Sequence, residues 1–205
     1  MFAGPAAFRL FTAVIAVFWV GGIGVQSARL FRRLPARRGL VVLAGLASVI
    51  GGASFFVQIL SAVGLLTLPP SREWPVGYTT GVQRTVGGAL VVPLSAQGRV
   101  QVYDSAWHFR RGWNVDADGG KFWLVLSPPD TVFVLTARGH KSLAYRLTGE
   151  PLAFPLDDAS LWTRRTAGEP FGGTTAPWLL FLTSPFLGGG IAGIGFLGLK
   201  RLGQL

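Results

Sequence analysis

Three long stretches without a single charged residue dominate this sequence. They cover residues 10–28, residues 39–71 (most apolar over 40–66) and residues 171–199. A helix needs roughly 20 apolar residues to cross the hydrocarbon core of a bilayer, so each stretch is long enough. Core helices of a soluble protein, the alternative, would show polar residues at regular intervals. The sequence therefore predicts three transmembrane helices.

The basic residues beside these stretches predict the orientation, because lysine and arginine next to membrane helices stay on the cytoplasmic side. Only Arg9 precedes the first stretch, and seven basic residues mark the loop after it and the end of the chain. These seven are Arg29, Arg32, Arg33, Arg37, Arg38, Lys200 and Arg201. We expect a bacterial inner-membrane protein with its N-terminus outside, its C-terminus inside and residues 69–176 on the periplasmic or extracellular side.

The first stretch has a second interpretation, as a secretory signal peptide. One arginine precedes the apolar residues, and Ser27 and Ala28 are small enough for a cleavage site. The five arginines that follow at once are a poor sequence to export. We therefore expect a membrane helix.

The charge and the composition exclude several classes of function. All nine acidic residues lie between Glu73 and Glu169, and the region from Arg72 to Glu169 also contains eleven basic ones, so the net charge of +10 comes mainly from residues beside the apolar stretches. We therefore expect no nucleic-acid partner. The chain has no cysteine, which excludes disulfides, Fe–S clusters and thiolate zinc sites. The apolar stretches contain no ionisable residue for an ion or proton pathway. We expect no cofactor, and structural lipid or pigment would contact the helices by packing.

Small residues recur at four-residue spacing in the second and third stretches. Such faces allow close approach of helix backbones. Packing among the chain's own helices and contact with other integral membrane subunits both explain the pattern. The candidate packing residues are Ala44, Ser48, Gly52, Gly189 and Gly193.

Between Pro69 and Pro177 the sequence changes to short runs rich in Val, Phe, Tyr, Trp and Thr, interrupted by Gly and Pro. This pattern is typical of strands joined by turns. It predicts seven strands, at residues 77–85, 89–94, 99–103, 109–115, 122–126, 131–137 and 142–147. The clearest turns are predicted at residues 118–120 and 127–130.

The predicted fold class is an α+β membrane protein with three transmembrane helices and one extracytoplasmic antiparallel β-rich domain. The segments are 1–38 (first helix at about 8–28, arginine-rich loop at 29–38), 39–68 (second helix), 69–176 (β domain) and 177–205 (third helix and short cytoplasmic tail). The β domain is expected to be a blade-like meander or a small sandwich.

The strand RVQVYD at residues 99–104, the FR at 109–110 and the apolar residues 132–134 resemble the NHL type of β-propeller repeat. The resemblance covers residues 99–150, and the Asp-Gly turn of the repeat is replaced here by residues 105–107. It implies a blade-like meander whose surface serves protein contact. A closed propeller needs at least four blades, and the domain has material for about two, so no closed propeller is expected.

Few residues suggest chemistry. Asp104 and His108, four residues apart, are candidates for a metal or catalytic dyad, but no third ligand accompanies them, and a surface pair is the alternative. No serine lies in a nucleophile elbow, and the glycine pairs lack the spacing of a phosphate-binding loop. We predict no catalytic, cofactor-binding or metal site.

Tryptophan and arginine side chains supply the remaining candidates for contact. Tryptophan next to a membrane helix suits the interfacial belt, and elsewhere it suits a small β core or an exposed contact patch. Arginine beside tryptophan suits lipid head groups or an acidic partner. These candidates are Trp74, Trp107, Trp162, Arg164, Arg165 and Trp178.

The sequence thus favours a non-catalytic accessory subunit of a membrane protein complex, of the kind that respiratory and photosynthetic supercomplexes recruit. An envelope sensor or ligand-binding membrane protein is the alternative, although the predicted cytoplasmic segments offer no output module. An envelope enzyme is the third possibility and lacks a motif.

Overall fold

The computed structural model describes residues 4–62, 64–153, 159–165, 168–175 and 184–204. The chain forms two compact units. The helical unit comprises Met1–Gln58 and Ser184–Leu205, and the β unit comprises Ile59–Thr183. The α+β class is confirmed, with two antiparallel sheets that do not close into a barrel. Trp178, predicted at a membrane interface, lies outside the described residues.

Four α-helices occur in the described residues: α1 (Gly4–Arg33), α2 (Arg38–Ala62), α3 (Ala159–Thr163) and α4 (Pro185–Leu202). A 3₁₀ turn at Pro35–Arg37 joins α1 to α2. The predicted arginine-rich loop is therefore mostly helical. Nothing breaks the helix before Pro35, and arginines in the last turn of α1 are favoured by the helix dipole.

One helical segment among the described residues, Pro35–Ala62, has the length and apolar composition needed to cross a membrane. The helical unit has an apolar surface. All exposed large hydrophobic side chains that the structure describes lie on α1, α2 or α4, except Leu66, Tyr78 and Val86. By contrast, α2 buries Ser48 completely. The large apolar side chains of this unit thus lie on its outside, and a polar one lies inside.

The β unit contains two four-stranded meanders, each with strands in chain order. The first consists of β1 (Gln83–Arg84), β2 (Leu90–Leu94), β3 (Arg99–Tyr103) and β4 (Phe109–Asn114). The second consists of β5 (Phe122–Ser127), β6 (Thr131–Thr136), β7 (Ser142–Arg146) and β8 (Pro151–Leu152). Six of the seven predicted strands are confirmed to within one residue at each end, and β8 was not predicted.

The predicted strand at 77–85 is wrong except for β1. Gly81 has φ +120°, and a Cβ on it would lie 2.5 Å from the backbone nitrogen of Gly168. The neighbouring Val82 exchanges backbone hydrogen bonds with Glu169, at 2.7 and 2.8 Å. This part of the chain therefore packs against residues 168–169 and does not continue the ladder with β2.

The two sheets share one hydrophobic core. Val100 and Val102 of β3 pack in it together with Phe122 and Leu124 of β5 and with residues of β6. Since side chains alternate along a strand, the other face of β3 carries Arg99, Gln101 and Tyr103. All three are almost completely buried as well.

Each sheet has one short outermost strand. Both β1 and β8 have only two residues, and Pro151 in β8 has no N–H group to donate. At the β5 edge, the Ser95 hydroxyl accepts from the Phe122 N–H and donates to the Phe122 carbonyl, each at 3.3 Å. The Thr80 hydroxyl donates to the same carbonyl at 2.8 Å.

Candidate interaction sites

The buried face of β3 holds the segment that precedes the sheets. The Arg99 guanidinium donates to the carbonyls of Leu68 and Pro69, at 3.0 Å each, and to that of Arg72 at 2.8 Å. It also donates to the side chain of Asn114 at 3.3 Å. Burial lowers the pKa of Arg99 from its usual value. The arginine stays charged nevertheless, and it binds carbonyl oxygens without a carboxylate partner.

Gln101, two residues after Arg99 on the same face of β3, also binds the segment that precedes the sheets. Its amide accepts from the Trp74 N–H at 2.6 Å and donates to the Trp74 carbonyl at 3.0 Å. The side chain thus substitutes for the backbone of a neighbouring strand. Trp74, predicted for the membrane interface, is only 6% exposed and is not available for such a contact. We call residues Arg99, Gln101 and Tyr103 the β3 clamp.

Tyr103 completes the β3 clamp. Its hydroxyl accepts from the Gln101 amide and donates to a carboxylate oxygen of Glu73, both at 2.8 Å. Burial raises the pKa of Tyr103, and the hydrogen bond to Glu73 raises it further. The phenol therefore remains a neutral donor. Through this face, β3 binds the chain's own segment 68–74.

Asp104 organises the turn between β3 and β4. Its carboxylate accepts from the backbone N–H groups of His108 and Ala106, at 2.9 Å each. It also contacts His108 Nδ1 at 3.2 Å and accepts from Arg110 at 2.7 Å. Asp104 and His108 are thus neighbours, in a turn that the carboxylate stabilises. The described residues include no group of three or more His, Cys, Asp or Glu side chains placed to hold a metal ion.

This geometry predicts a pH dependence. Hydrogen bonds lower the pKa of Asp104 to about 2. The largest effect comes from the His108 backbone, and the His108 side chain, Ala106 and Arg110 add to it. Because the folded pKa lies below the ordinary value of about 3.9, the carboxylate stabilises the fold fully above pH ~4 and loses this effect as the pH falls towards 2. The thermal midpoint of Asp104→Asn should therefore lie below that of the wild type at pH 6, and the difference should shrink below pH ~4.

Ser105→Ala, in the same turn, is the control and adds no titrating group. Its difference from the wild type should not change over this pH range. An Asp104→Asn difference that is equal at pH 6 and pH 2 would contradict the assignment.

Trp107 belongs to an aromatic cluster beside this turn. Its ring centroid lies 4.8 Å from that of Phe171 and 6.1 Å from that of Tyr103, and Tyr103 also contacts Phe109 edge-to-face at 5.8 Å. Trp107 has φ +65°, so the turn holds it in a left-handed conformation. The side chain is half-buried, which leaves part of the ring on the surface.

Trp162 belongs to a second aromatic group. Leu161 of α3 is buried against β5 and β6, and Trp162 packs beside it. The Trp162 ring lies 6.4 Å from Trp123 and 5.6 Å from His140. The Arg165 guanidinium lies 4.4 Å above the Trp123 ring as a cation–π contact, and Arg164 is exposed. The second sheet thus presents aromatic and basic groups together.

The helical unit packs through small residues. The Ser48 hydroxyl donates to the Ala192 carbonyl at 3.3 Å. A Cβ on Gly195 would lie 2.4 Å from the Ser48 nitrogen and 2.5 Å from the Ala44 carbonyl. A Cβ on Gly51 would lie 2.4 Å from the Ala192 nitrogen. Backbone contact between α2 and α4 therefore requires glycine at these two positions.

The other predicted packing residues have different surroundings. Gly52 faces Trp19 of α1, whose indole N–H donates to the Ser48 carbonyl at 3.2 Å. Gly189 contacts only the Phe55 ring, at 3.4 Å from its Cβ position. A Cβ on Gly193 would have nothing within 4 Å. The backbone of α2 is therefore approached by Gly188, Ala192 and Gly195 of α4, next to the predicted pair.

The seven basic residues predicted to set the topology are all exposed. They lie at one end of the helical unit, because a single buried cluster joins the segments that carry them. This cluster contains Leu30 of α1, Val41 of α2, and Leu199 and Leu202 of α4. The cations of the first loop and of the C-terminus therefore share one end, where the sequence contains no acidic residue.

No family model, curated protein or solved structure matches this chain.

Proposed function

We propose that this chain is a non-catalytic accessory subunit of a bacterial membrane protein complex. Three transmembrane helices anchor it, and the β unit contacts partner subunits outside the cytoplasm. One observation carries the proposal: seven exposed basic residues converge at one end of a helical unit whose surface is apolar and which lacks acidic residues. That combination suits a bundle in lipid with its basic end in the cytoplasm.

Two features support contact with other subunits. In the helical unit, the position of Gly193 is open, so a partner helix can approach α4 closely there. In the β unit, the Trp123, Trp162 and Arg165 group combines the residue types that are enriched in protein interfaces. The resemblance of residues 99–150 to NHL repeats agrees with this role.

The ligand-binding alternative has less support in the β unit. A cleft lined by Arg84, Val86, Pro129 and Leu147, among others, has a volume of about 160 Å³. Small-molecule sites usually have a volume of about 300–1,000 Å³. This cleft is therefore too small for a typical ligand.

Gentle detergent extraction from the native membrane, followed by blue-native electrophoresis and mass spectrometry, tests the proposal. We expect the chain to migrate in constant stoichiometry with the subunits of a larger complex, and to remain in the pellet when membranes are washed with alkaline carbonate. Migration as a monomer or a small homo-oligomer, with no other protein in the band, would refute the subunit role. Release by carbonate would refute membrane anchoring.

A further inference from the structure

A groove runs between α1 and α2 in the helical unit. Its volume is about 400 Å³, within the range of small-molecule sites, and its walls are mostly apolar. The lining residues at its centre are Ile23, Gly24 and Ser27 of α1 and Val41, Gly45 and Val49 of α2. The groove is open along one side, as a long flexible hydrocarbon chain requires.

One end of the groove is basic. Arg32 lines it, and the Arg38 guanidinium lies 4.9 Å above the ring of Phe31, another lining residue. The Arg38 Nε donates to the Phe31 carbonyl at 3.3 Å, which holds the guanidinium beside the groove. Both arginines are exposed, and residues 1–72 contain no acidic residue to neutralise them. The uncompensated charge favours an anionic group at this end.

The groove wall also includes Ser27 of α1. The Ser27 hydroxyl is buried there and has no hydrogen-bond partner among the described residues. The arrangement therefore presents cations at one end and an apolar surface beyond.

We propose that the groove binds an anionic phospholipid, with its phosphate at Arg32 and Arg38 and an acyl chain between α1 and α2. The inference rests on the proposed membrane location, which places this end of the helices at the cytoplasmic leaflet. Basic sites beside transmembrane helices on that side recruit anionic lipid head groups. The apolar groove selects a lipid over a free phosphate, because it buries the acyl chain.

Native mass spectrometry of the purified full chain, with added phosphatidylglycerol or phosphatidylcholine, tests the site. We expect at least about tenfold more retained phosphatidylglycerol than phosphatidylcholine at equal concentration. The double variant Arg32→Gln, Arg38→Gln should lose most of this preference. Lys200→Gln, Arg201→Gln removes the same charge outside the lining residues and should preserve it. Equal retention of the two lipids, or equal loss in both double variants, would overturn the proposal.

A second pair of variants tests the groove itself. Gly24 lines it, and a Cβ there meets nothing within 4 Å, so Gly24→Leu adds an apolar side chain to the groove wall at an open position. Gly22 is equally open and does not line the groove, so Gly22→Leu is the control. Only Gly24→Leu should reduce retention of phosphatidylglycerol. If glycerol 3-phosphate displaces the lipid at an equal concentration, or if the two variants behave alike, the acyl chain does not occupy the groove.

These outcomes are separable from those of the proposed function. The lipid measurement uses the purified chain and needs no partner. Loss of lipid preference in a chain that still migrates with a larger complex overturns only the lipid site. Release of the chain by carbonate overturns the membrane anchoring on which both proposals depend.

Discussion

Replacing Arg99 by methionine is expected to lower the free energy of unfolding of the β unit by about 3 kcal/mol or more. The carbonyls of Leu68, Pro69 and Arg72 all receive hydrogen bonds from this one guanidinium, which is almost completely buried. Methionine fills similar space but donates none of them. A hydrogen bond to a charged group contributes about 1.5–3 kcal/mol, and without these bonds the segment 68–74 loses its attachment to β3.

A thermal melt of the detergent-purified chain, followed by tryptophan fluorescence, measures this effect. A loss of about 3 kcal/mol corresponds to a midpoint roughly 10 °C lower. Arg99→Lys keeps the charge but presents a single donor group, so its midpoint should lie between those of Arg99→Met and the wild type. Arg84→Met removes only an exposed ion pair with Glu169 and should cost less than about 1 kcal/mol. If Arg99→Met and the Arg84→Met control have the same thermal midpoint, the β3 clamp does not stabilise the unit.

Gly195→Leu is expected to prevent α2 and α4 from packing. Its Cβ would lie 2.4 Å from the Ser48 nitrogen, and a backbone atom cannot rotate away as a side chain can. The helices must separate, at a cost on the order of 3 kcal/mol or more. Gly193→Leu, two residues earlier, adds the same side chain where nothing lies within 4 Å, and the helical unit should tolerate it.

Size-exclusion chromatography in mild detergent distinguishes the two variants. Gly193→Leu should elute as the wild type does, whereas Gly195→Leu should lose most of the monodisperse peak. Gly51→Leu, on the opposite side of the same contact, should behave like Gly195→Leu. Wild-type profiles for both Gly195→Leu and Gly51→Leu would show that α2 and α4 do not meet at these glycines.

The sequence predicted the meanders well, because each strand is marked by local chemistry. Residues 99–103 alternate between two faces, and Gly98, at φ +57°, ends the preceding turn. Asp118 and Gly119 likewise adopt positive φ in a predicted turn. Turn residues with special backbone angles can be recognised without knowing what the strand packs against. These turn residues therefore predicted where the strands begin and end.

The role of the buried face of β3 was harder to predict. Arg99, Gln101 and Tyr103 lie at alternate positions, a pattern visible in the sequence. It resembles a solvent-exposed strand face, since polar residues usually face water. Their partners are mainly backbone carbonyls and an N–H in residues 68–74, which carry no side-chain signature. The burial of Trp74 depends on that long-range contact, so sequence alone placed it at a membrane interface instead.

For a related reason, the sequence predicted the wrong packing face of α4, next to the one that contacts α2. Spacing identified Gly189 and Gly193 as a small-residue pair, but Gly188, Ala192 and Gly195 form an equally small face beside it. In a helix this rich in glycine, composition cannot choose between adjacent faces. The contact with Ser48 and Ala44 of α2 makes the choice.

The short outer strands of the β unit have a consequence for how another protein can bind it. Strand addition requires a free edge several residues long, with N–H and C=O groups to extend the ladder. β1 and β8 offer two residues each, one of them Pro151, and the hydroxyls of Ser95 and Thr80 occupy Phe122 at the β5 edge. Recognition at β1 and β8 must therefore depend on side chains, whose identity distinguishes one partner from another more sharply than a backbone ladder does.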